Sequence, residues 1–271
     1  MRSFLIAVVA LCFGQAAQAA DLPFLRGSFQ DEPIAPRRMW DGFYIGGQVG
    51  YGRSDMNFSG ATRDVAAGLL ANLTMENEFG ISQWPIMGKA SKSGSGVGGF
   101  AGYNSQWDDT VIGIELSYMH GKFGGSQTDS MGRSFTTSDG YTNGVTYEGN
   151  ARMSISDIGT IRARAGYAVG AFLPYAFGGV ALGQADIVRD ARIYGRQVNV
   201  NAAPGFQQID FDLSRTSAQY NRLVYGYSAG LGVDINLIGG LFARAEWEYI
   251  RFTSSVDVNI NTVRAGVGYK F

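Results

Sequence analysis

Charged residues recur at alternate positions within segments that are otherwise rich in apolar residues and glycine. The set consists of Glu115, Arg162, Arg164, Asp234, Arg244, Glu246, Glu248 and Arg264. Alternate residues of a β-strand lie on one face, so each segment would have one charged face and one apolar face. An unpaired buried ion costs several kcal/mol, and acids and bases occur together here. We therefore predict an ion-paired interior, with a narrow or gated pore as the alternative.

Catalytic motifs are weak in this sequence. Acyl hydrolysis by a His-x-Ser pair needs a serine two residues after the histidine, but His120, the only histidine, is followed by Gly121 and Lys122. The glycines at 94, 96 and 99 have dinucleotide-loop spacing, yet no apolar strand precedes them and no helix start follows. No cluster of histidine, cysteine and carboxylate residues suggests a metal. We predict no catalytic, cofactor or metal site.

The amino terminus has the composition of a secretory leader. Residues 1–20 contain an early Arg2, an apolar run from Phe4 to Gly14 and a small-residue site at 17–19, as signal peptides do. The leader also contains Cys12, the only cysteine, so the exported chain would have no disulfide. Without Arg2 its formal charge is 21 − 23 = −2, which predicts no nucleic-acid partner.

The rest of the chain alternates between apolar and polar positions, with Gly at 39 residues, aromatics at 13% and charge at 17%. Residues 21–41, with Pro23, Pro33 and Pro36, form a predicted periplasmic lead-in whose Trp40 suits a membrane interface. Residues 42–271 form the predicted barrel domain. Its predicted strands cover residues 42–53, 93–106, 110–122, 153–169, 174–187, 223–236, 241–252 and 261–271. Turns at 107–109, 170–173 and 238–240 alternate with long connections, which predicts an all-β, eight-stranded antiparallel up-and-down transmembrane β-barrel with long extracellular loops.

The three long connections differ in pattern. In residues 54–92, Val65, Leu69 and Leu73 have helical spacing, which predicts either a local amphipathic turn or a helix over 63–77 that plugs the barrel or binds a partner. Residues 123–152 are rich in Ser, Thr, Gly and Asp, which predicts a loop. The third connection alternates on both sides of Pro204-Gly205, which predicts a hairpin extending two strands above the membrane.

Outward-facing aromatic residues are expected at two heights, as in the girdles of membrane barrels. The upper set is Tyr51, Tyr118, Tyr225 and Tyr249, and the lower set is Phe43, Tyr103, Tyr167, Tyr175, Tyr269 and Phe271. The fifth segment alternates ambiguously, and we place Tyr175, Phe177, Gly179 and Ala181 outward. The last strand should close the barrel against residues 42–53. Because Val256, Val258 and Ile260 have the opposite parity to Val263, either a bulge lies near Asn261 or this segment projects beyond the lipid.

Four cations should lie on the outward face just above the upper aromatic girdle, near His120. They are Arg53, Lys122, Arg189 and Arg251. Cations at this height can bind the phosphates of outer-leaflet lipopolysaccharide. We therefore predict contacts with outer-membrane lipid and lipopolysaccharide, with unpaired, solvated bases as the alternative.

Three parts of the chain resemble one known family. The 40–52 segment WDGFYIGGQVGYG, the 160–167 segment TIRARAGY and the 173–181 segment LPYAFGGVA are similar to the small porin-like outer-membrane barrels of alphaproteobacteria, relatives of the opacity-type and outer-membrane-protein-A-type barrels. The resemblance covers the exported chain and implies location in a Gram-negative outer membrane. It implies a fold more than an activity. It also implies that Tyr269 and Phe271 form the carboxy-terminal signal read by the assembly machinery.

The resemblance leaves three functions open. We expect a non-catalytic protein that contributes to envelope integrity and surface exposure. The alternatives are a small nonspecific channel and an adhesin or ligand binder that uses its loops. Haem is one ligand implied by some relatives, although the single histidine, His120, leaves few axial ligands.

Overall fold

The structure is a computed structural model that describes residues 39–253 and 256–271. Eight antiparallel strands form a closed barrel in chain order, which confirms the predicted fold. They are β1 Gly42–Asn57, β2 Lys89–Trp107, β3 Thr110–Thr136, β4 Thr142–Tyr167, β5 Phe172–Val198, β6 Gln208–Ile238, β7 Leu241–Phe252 and β8 Asp257–Lys270. Two short helices, α1 Arg63–Leu69 and α2 Thr74–Phe79, and a 3-10 helix, Ile81–Gln83, lie between β1 and β2. The predicted leader and most of the lead-in lie outside the described residues.

The barrel closes where β1 pairs with β8, from Tyr44 opposite Lys270 to Asn57 opposite Asp257. This seam confirms the predicted role of the last strand. Three turns lie at the same end of the barrel as the start of β1 and the end of β8. They are short and have left-handed backbone, with φ of 50° at Asp108 and 59° at both Gly170 and Gly239. We call this end of the barrel the lower end.

Half of the barrel wall is much taller than the other half. β3 to β6 continue as one four-stranded sheet, the upper sheet, formed by residues 123–136, 142–155, 185–198 and 208–222. At about 3.3 Å per residue, residues 123–136 alone are roughly 45 Å of strand length. The hairpin expected around Pro204-Gly205 is confirmed, because β5 ends at Val198 and β6 begins at Gln208.

The predicted loop at 123–152 is wrong, because β3 runs to Thr136 and β4 starts at Thr142. Val145, Tyr147 and Ala151 fill the inner face at alternate positions, whereas the outer face is polar. Above the lipid an outward side chain meets water, so the strand lacks the apolar outer face that identified the membrane segments.

The connection between β1 and β2 covers the inner face of the upper sheet. Residues 58–88, here named the helical layer, place Phe58, Ala66, Leu70 and Ile81 in one buried apolar cluster with the inner residues of β4 and β5. Two short helices therefore form where the sequence predicted either a local amphipathic turn or one helix over 63–77. None of the helices in the described ranges is long and apolar enough to cross a membrane.

The change of parity in β8 involves no bulge. β8 pairs without a register shift with both β1 and β7, and Val258, Ile260 and Thr262 all face the interior. The upper interior is apolar and the middle is ionic, so one inward face changes from valine and isoleucine to threonine and arginine. The bulge is therefore wrong. The projecting segment agrees with the register, because Ile260 pairs with Ser54, which lies above Tyr51 of the upper girdle.

The sequence prediction placed the wrong face of β5 toward the lipid. Tyr175 is only 5% exposed, and Phe177 and Ala181 are buried as well, so the residues placed outward at 175, 177, 179 and 181 face inward. Both parities of this segment carry small or apolar side chains, which is why alternation gave no answer. The upper half of β5 carried a clearer signal, since Asp190, Arg192 and Arg196 all have even numbers and face water.

Candidate functional site

The lower end of the barrel interior is closed by an aromatic cluster, the lower layer. Its buried members are Trp40, Tyr44, Phe100, Val111, Leu173, Tyr175, Phe177 and Phe242. Trp40 was expected at the membrane interface, but it is 3% exposed and lies edge-on to Phe242, with ring centroids 6.4 Å apart. Its backbone N–H donates to Gln106 Oε1 at 2.8 Å, so the segment before β1 enters the lower mouth.

The middle of the interior holds the predicted charged residues, all buried. We call them the ion layer. Glu115 is its centre: Arg244 Nη1 donates to Oε2 at 2.8 Å, Tyr44 Oη donates to the same atom at 2.7 Å, and Arg162 Nε donates to Oε1 at 2.9 Å. Asp234 accepts from Arg244 Nε at 2.8 Å and from Arg164 Nη2 at 2.7 Å. The carboxylates and guanidinium groups therefore alternate around the lumen.

The upper part of the ion layer joins two more carboxylates to the same network. Arg162 Nη2 donates to Glu246 Oε1 at 2.7 Å, and Arg162 Nη1 lies 3.6 Å from Glu248 Oε1. Glu248 also forms a close ion pair with Arg264. The four cations and four acids at the predicted positions thus form one connected group rather than scattered pairs.

The aromatic side chains below the ion layer cover its guanidinium groups. The guanidinium carbon of Arg164 lies 3.7 Å from the Tyr175 ring centroid, and that of Arg162 lies 4.0 Å from the Phe177 centroid. The same carbon of Arg244 lies 3.9 Å from the Phe100 centroid. Cations are attracted to ring faces, which explains why large aromatic residues of β5 point inward. Sequence alternation placed Tyr175 and Phe177 outward and so missed this contact.

Above the ion layer the interior is apolar again. Met119, Phe123, Met153, Ile155 and Phe252 are all buried in the cluster that continues into the helical layer. The Tyr147 hydroxyl lies 2.8 Å from Thr62 Oγ1, and burial raises the pKa of Tyr147. Apolar, ionic and apolar layers thus follow one another along the lumen.

Three of the four cations expected above the upper girdle are exposed on the outer face: Arg53, Lys122 and Arg251. The prediction was wrong for the fourth, Arg189. It is 8% exposed and faces inward, where Nη1 donates to Asp64 Oδ1 at 2.8 Å and to the Ala61 carbonyl at 3.0 Å. The inverted face of β5 explains this error too, because β5 keeps odd residues inward along its whole length.

His120 lies on the outer face and bonds a carboxylate. Its Nδ1 is 2.8 Å from Asp157 Oδ1, and Ser156 Oγ donates to Asp157 Oδ2 at 2.6 Å. The serine is therefore bonded to the carboxylate and not to the imidazole, so these three residues lack the nucleophile-to-base bond of an acyl-transfer triad. Within residues 39–253 and 256–271, no group of three or more His, Cys, Asp or Glu residues could hold a metal ion.

Exposed aromatic side chains mark both edges of the outer apolar band. Tyr51, Tyr118 and Tyr225 are exposed at the upper edge, and Phe43 and Tyr167 at the lower edge. Tyr175 does not belong to the lower set, because it faces the interior. Tyr269 and Phe271 are exposed at the lower edge, with ring centroids 5.2 Å apart. Their role as an assembly signal stays a prediction.

A closed eight-stranded antiparallel barrel with an apolar outer band, two aromatic girdles and a filled interior defines an integral outer-membrane barrel protein. The chain belongs to the outer membrane protein beta-barrel domain family, whose model matches residues 5–271. The resemblance found in the sequence is therefore confirmed, and so is the outer-membrane location. Cleavage of residues 1–20 stays a prediction.

Two relatives come from alphaproteobacteria. The chain is 28% identical to the 31 kDa outer-membrane immunogenic protein of Brucella melitensis biotype 1 over 100% of both chains. It is 23% identical to the 22 kDa outer membrane protein of Rhizobium leguminosarum bv. viciae, over 89% of this chain and 83% of that one. Among solved structures it is similar to Ail, the attachment invasion locus protein of Yersinia pestis, with 13% identity, a TM-score of 0.34 and coverage of 85% and 99%.

Proposed function

We propose that this protein is a non-catalytic, non-conducting outer-membrane barrel that contributes to envelope integrity and carries a folded domain on the cell surface. The observation that supports this proposal is the succession of lower layer, ion layer and upper apolar cluster inside the barrel. An eight-stranded barrel has an interior just wide enough for side chains to fill it.

A channel would require these layers to open. An ion entering the middle of the barrel would have to separate Glu115 from Arg244, whose side chains are fully buried. Leaving a buried charge without its partner costs several kcal/mol, and water would still have to cross an apolar cluster on each side. The nonspecific channel therefore has less support than a closed barrel.

Single-channel recording in planar bilayers tests the closed state. We expect no discrete openings from the protein purified from outer membranes. A variant in which residues 60–87 are replaced by a short Gly-Ser linker keeps the ion layer and the lower layer, and it should stay silent as well. Discrete openings by the natural chain would refute the proposal, and openings only in the shortened variant would make the helical layer a gate.

The upper sheet and the helical layer together form the surface domain, here named the ectodomain. Its own apolar core, including Leu70, Ile81 and Ile193, supports a rigid fold above the membrane rather than a set of loose loops. A rigid domain can hold a ligand-binding surface in place at low entropic cost. Haem has little support as that ligand, because the single histidine already bonds Asp157 on the outer wall of the barrel.

The envelope part of the proposal concerns lipid and assembly. Arg53, Lys122 and Arg251 are exposed on the outer face near the upper girdle, where charge-assisted bonds to lipopolysaccharide phosphates can form. Phe271, 75% exposed at the lower edge, is available to the assembly machinery that the family resemblance implies. Both partners remain proposals.

A further inference from the structure

The strand β6 has an open edge along the ectodomain. On one side it pairs with β5 from Val198 opposite Gln208 down to the lower turn. On its other side the pairing with β7 begins only at Gly226 opposite Phe252. Among the described residues, no strand pairs with this second side over residues 208–219. The open length is about 40 Å at roughly 3.3 Å per residue.

The direction of the backbone groups along this edge follows from their neighbours near the membrane. Tyr225 faces outward, and its carbonyl accepts from Thr253 N–H on the β7 side. Asn236 has the opposite parity, and its N–H donates to the Ala171 carbonyl on the β5 side. In an extended strand of L-residues, side-chain face and hydrogen-bond direction alternate together. Outward residues such as Ser214 and Thr216 therefore direct N–H and C=O to the open edge.

The edge has few of the usual protections. Natural edges are blocked by proline, by lysine, by other charged residues or by a bulge. Residues 208–219 contain neither proline nor lysine; their one cation is Arg215, and a register shift against β5 follows Gln219. The two acids are already paired across the hairpin, Asp210 with Arg196 at 2.6 Å and Asp212 with Arg192 at 2.6 Å. The hydrogen bonds from these arginines hold the pKa of both carboxyls below the usual range.

The opposite edge of the upper sheet is less accessible. The start of β2 and the residue before it lie next to the base of the β3 edge: a Cβ at Gly125 would lie 3.8 Å from Lys92 Cβ, and one at Gly88 would lie 3.9 Å from Gln127 Nε2. Among the described residues, no strand pairs with β3 on this side over residues 122–136, but the base of the β3 edge is partly covered, so the β6 edge is the more accessible one.

The two faces next to the β6 edge define the chemistry of a partner. Ile209, Phe211 and Leu213 form a half-buried row on the inner face, and Phe211 and Leu213 pack against the apolar cluster. The outer row of Asp210, Asp212, Ser214 and Thr216 is polar. A strand added here would place alternate side chains against an apolar row and in water, so an alternating apolar and polar sequence fits best.

We propose that residues 208–219 of β6 bind an extended polypeptide segment of a partner protein as a ninth, antiparallel strand of the ectodomain. Main-chain hydrogen bonds would provide affinity, and the alternating faces would select the sequence. The proposal rests on the proposed surface-display function. The conductance test concerns only the closed barrel, so its result does not depend on binding at the β6 edge.

The probe is a fluorescent synthetic peptide that copies residues 186–198, the strand that β6 already pairs with. We expect saturable binding to the purified full-length protein and none by a scrambled peptide. Ser214→Pro and Thr216→Pro should each weaken binding about tenfold or more, because proline has no N–H to offer and is tolerated on an edge strand. The matched variants Ser214→Ala and Thr216→Ala keep the N–H and should bind normally. Equal binding by proline and alanine variants would overturn the proposal, as would no binding at all.

Disulfide trapping gives a second measurement that does not depend on proline. The variant Thr216→Cys should crosslink to a peptide that carries cysteine at one parity and not at the other. The variant Asn150→Cys is the control, because Asn150 is exposed and β4 is paired on both sides. Crosslinking without a parity preference, or equally at position 150, would mean that the peptide does not pair with the β6 edge.

Discussion

Arg162 contacts three carboxylates in the ion layer, those of Glu115, Glu246 and Glu248. Replacing it with methionine keeps much of the volume but leaves four buried carboxylates with only three guanidinium groups, those of Arg164, Arg244 and Arg264. We expect Arg162→Met to lower the free energy of unfolding by about 3–5 kcal/mol, measured by urea unfolding in lipid vesicles with tryptophan fluorescence.

Two controls separate charge from volume in this experiment. Arg192→Met removes an arginine whose ion pair with Asp212 is exposed, and exposed pairs contribute little, so its stability should be nearly unchanged. Adding Glu246→Gln to Arg162→Met removes the excess negative charge of the ion layer and should restore part of the loss. A stable Arg162→Met single variant would show that the ion layer is not needed for stability.

Residue positions of the ion layer could be predicted because strand alternation places each charge on a face before any contact is known. Glu115, Arg244 and Glu248 were assigned inward in this way. The ion pairs themselves could not be predicted, since they depend on the relative heights of strands distant in sequence. Arg189 was misplaced by the same alternation, because the face of β5 was taken from a segment with apolar residues on both parities.

The helical layer depends on Arg189 of β5, which bonds the Ala61 carbonyl and Asp64 and also lies within 3.3 Å of Ser217 Oγ. Losing charge-assisted bonds of this kind costs about 1.5–3 kcal/mol. We expect Arg189→Ala to raise trypsin cleavage after Arg63 about tenfold in intact cells while the barrel stays folded, as followed by heat-modifiable migration. The control Arg152→Ala changes an exposed outer arginine of β4 and should leave cleavage unchanged.

Unchanged cleavage in Arg189→Ala would mean that apolar packing alone holds the helical layer. At this scale the sequence predicted that 54–92 was a long connection, with either a local amphipathic turn or a helix around Val65. It did not predict two helices or their place inside the upper sheet, because their partners, the inner rows of β4 and β5, lay in a stretch whose polar outer face concealed the strands.

For the whole molecule, the outer cations predict a lipid-dependent property. Neutralising Arg53, Lys122 and Arg251 together with glutamine should reduce the lipopolysaccharide that co-purifies with the protein several-fold at low salt, because the three cations lie near the upper girdle. Raising the salt concentration should reduce the difference in bound lipopolysaccharide between the natural chain and this variant, as expected for partly exposed charges. The bound lipid can be measured by phosphate and sugar analysis of the purified complex.

A matched triple variant controls for net charge. Replacing Arg152, Arg192 and Arg196 with glutamine removes the same number of cations from the outer face of the upper sheet, farther from the lipid. Its lipopolysaccharide content should equal that of the natural chain. Equal loss in both triple variants would show a nonspecific charge effect, and no loss in either would rule out this lipid site.

Because the barrel wall has unequal heights, the molecule has two different sides in the plane of the membrane. From the side of β3 to β6, an approaching antibody or phage meets a hydrogen-bonded wall whose inner residues, such as Tyr147 and Met153, are out of reach. From the side of β7, β8 and β1 the strands end low, and the exposed face of the helical layer, including Arg63 and Asp64, can be touched. An antibody against Arg63 or Asp64 must therefore approach from the side of β7, β8 and β1.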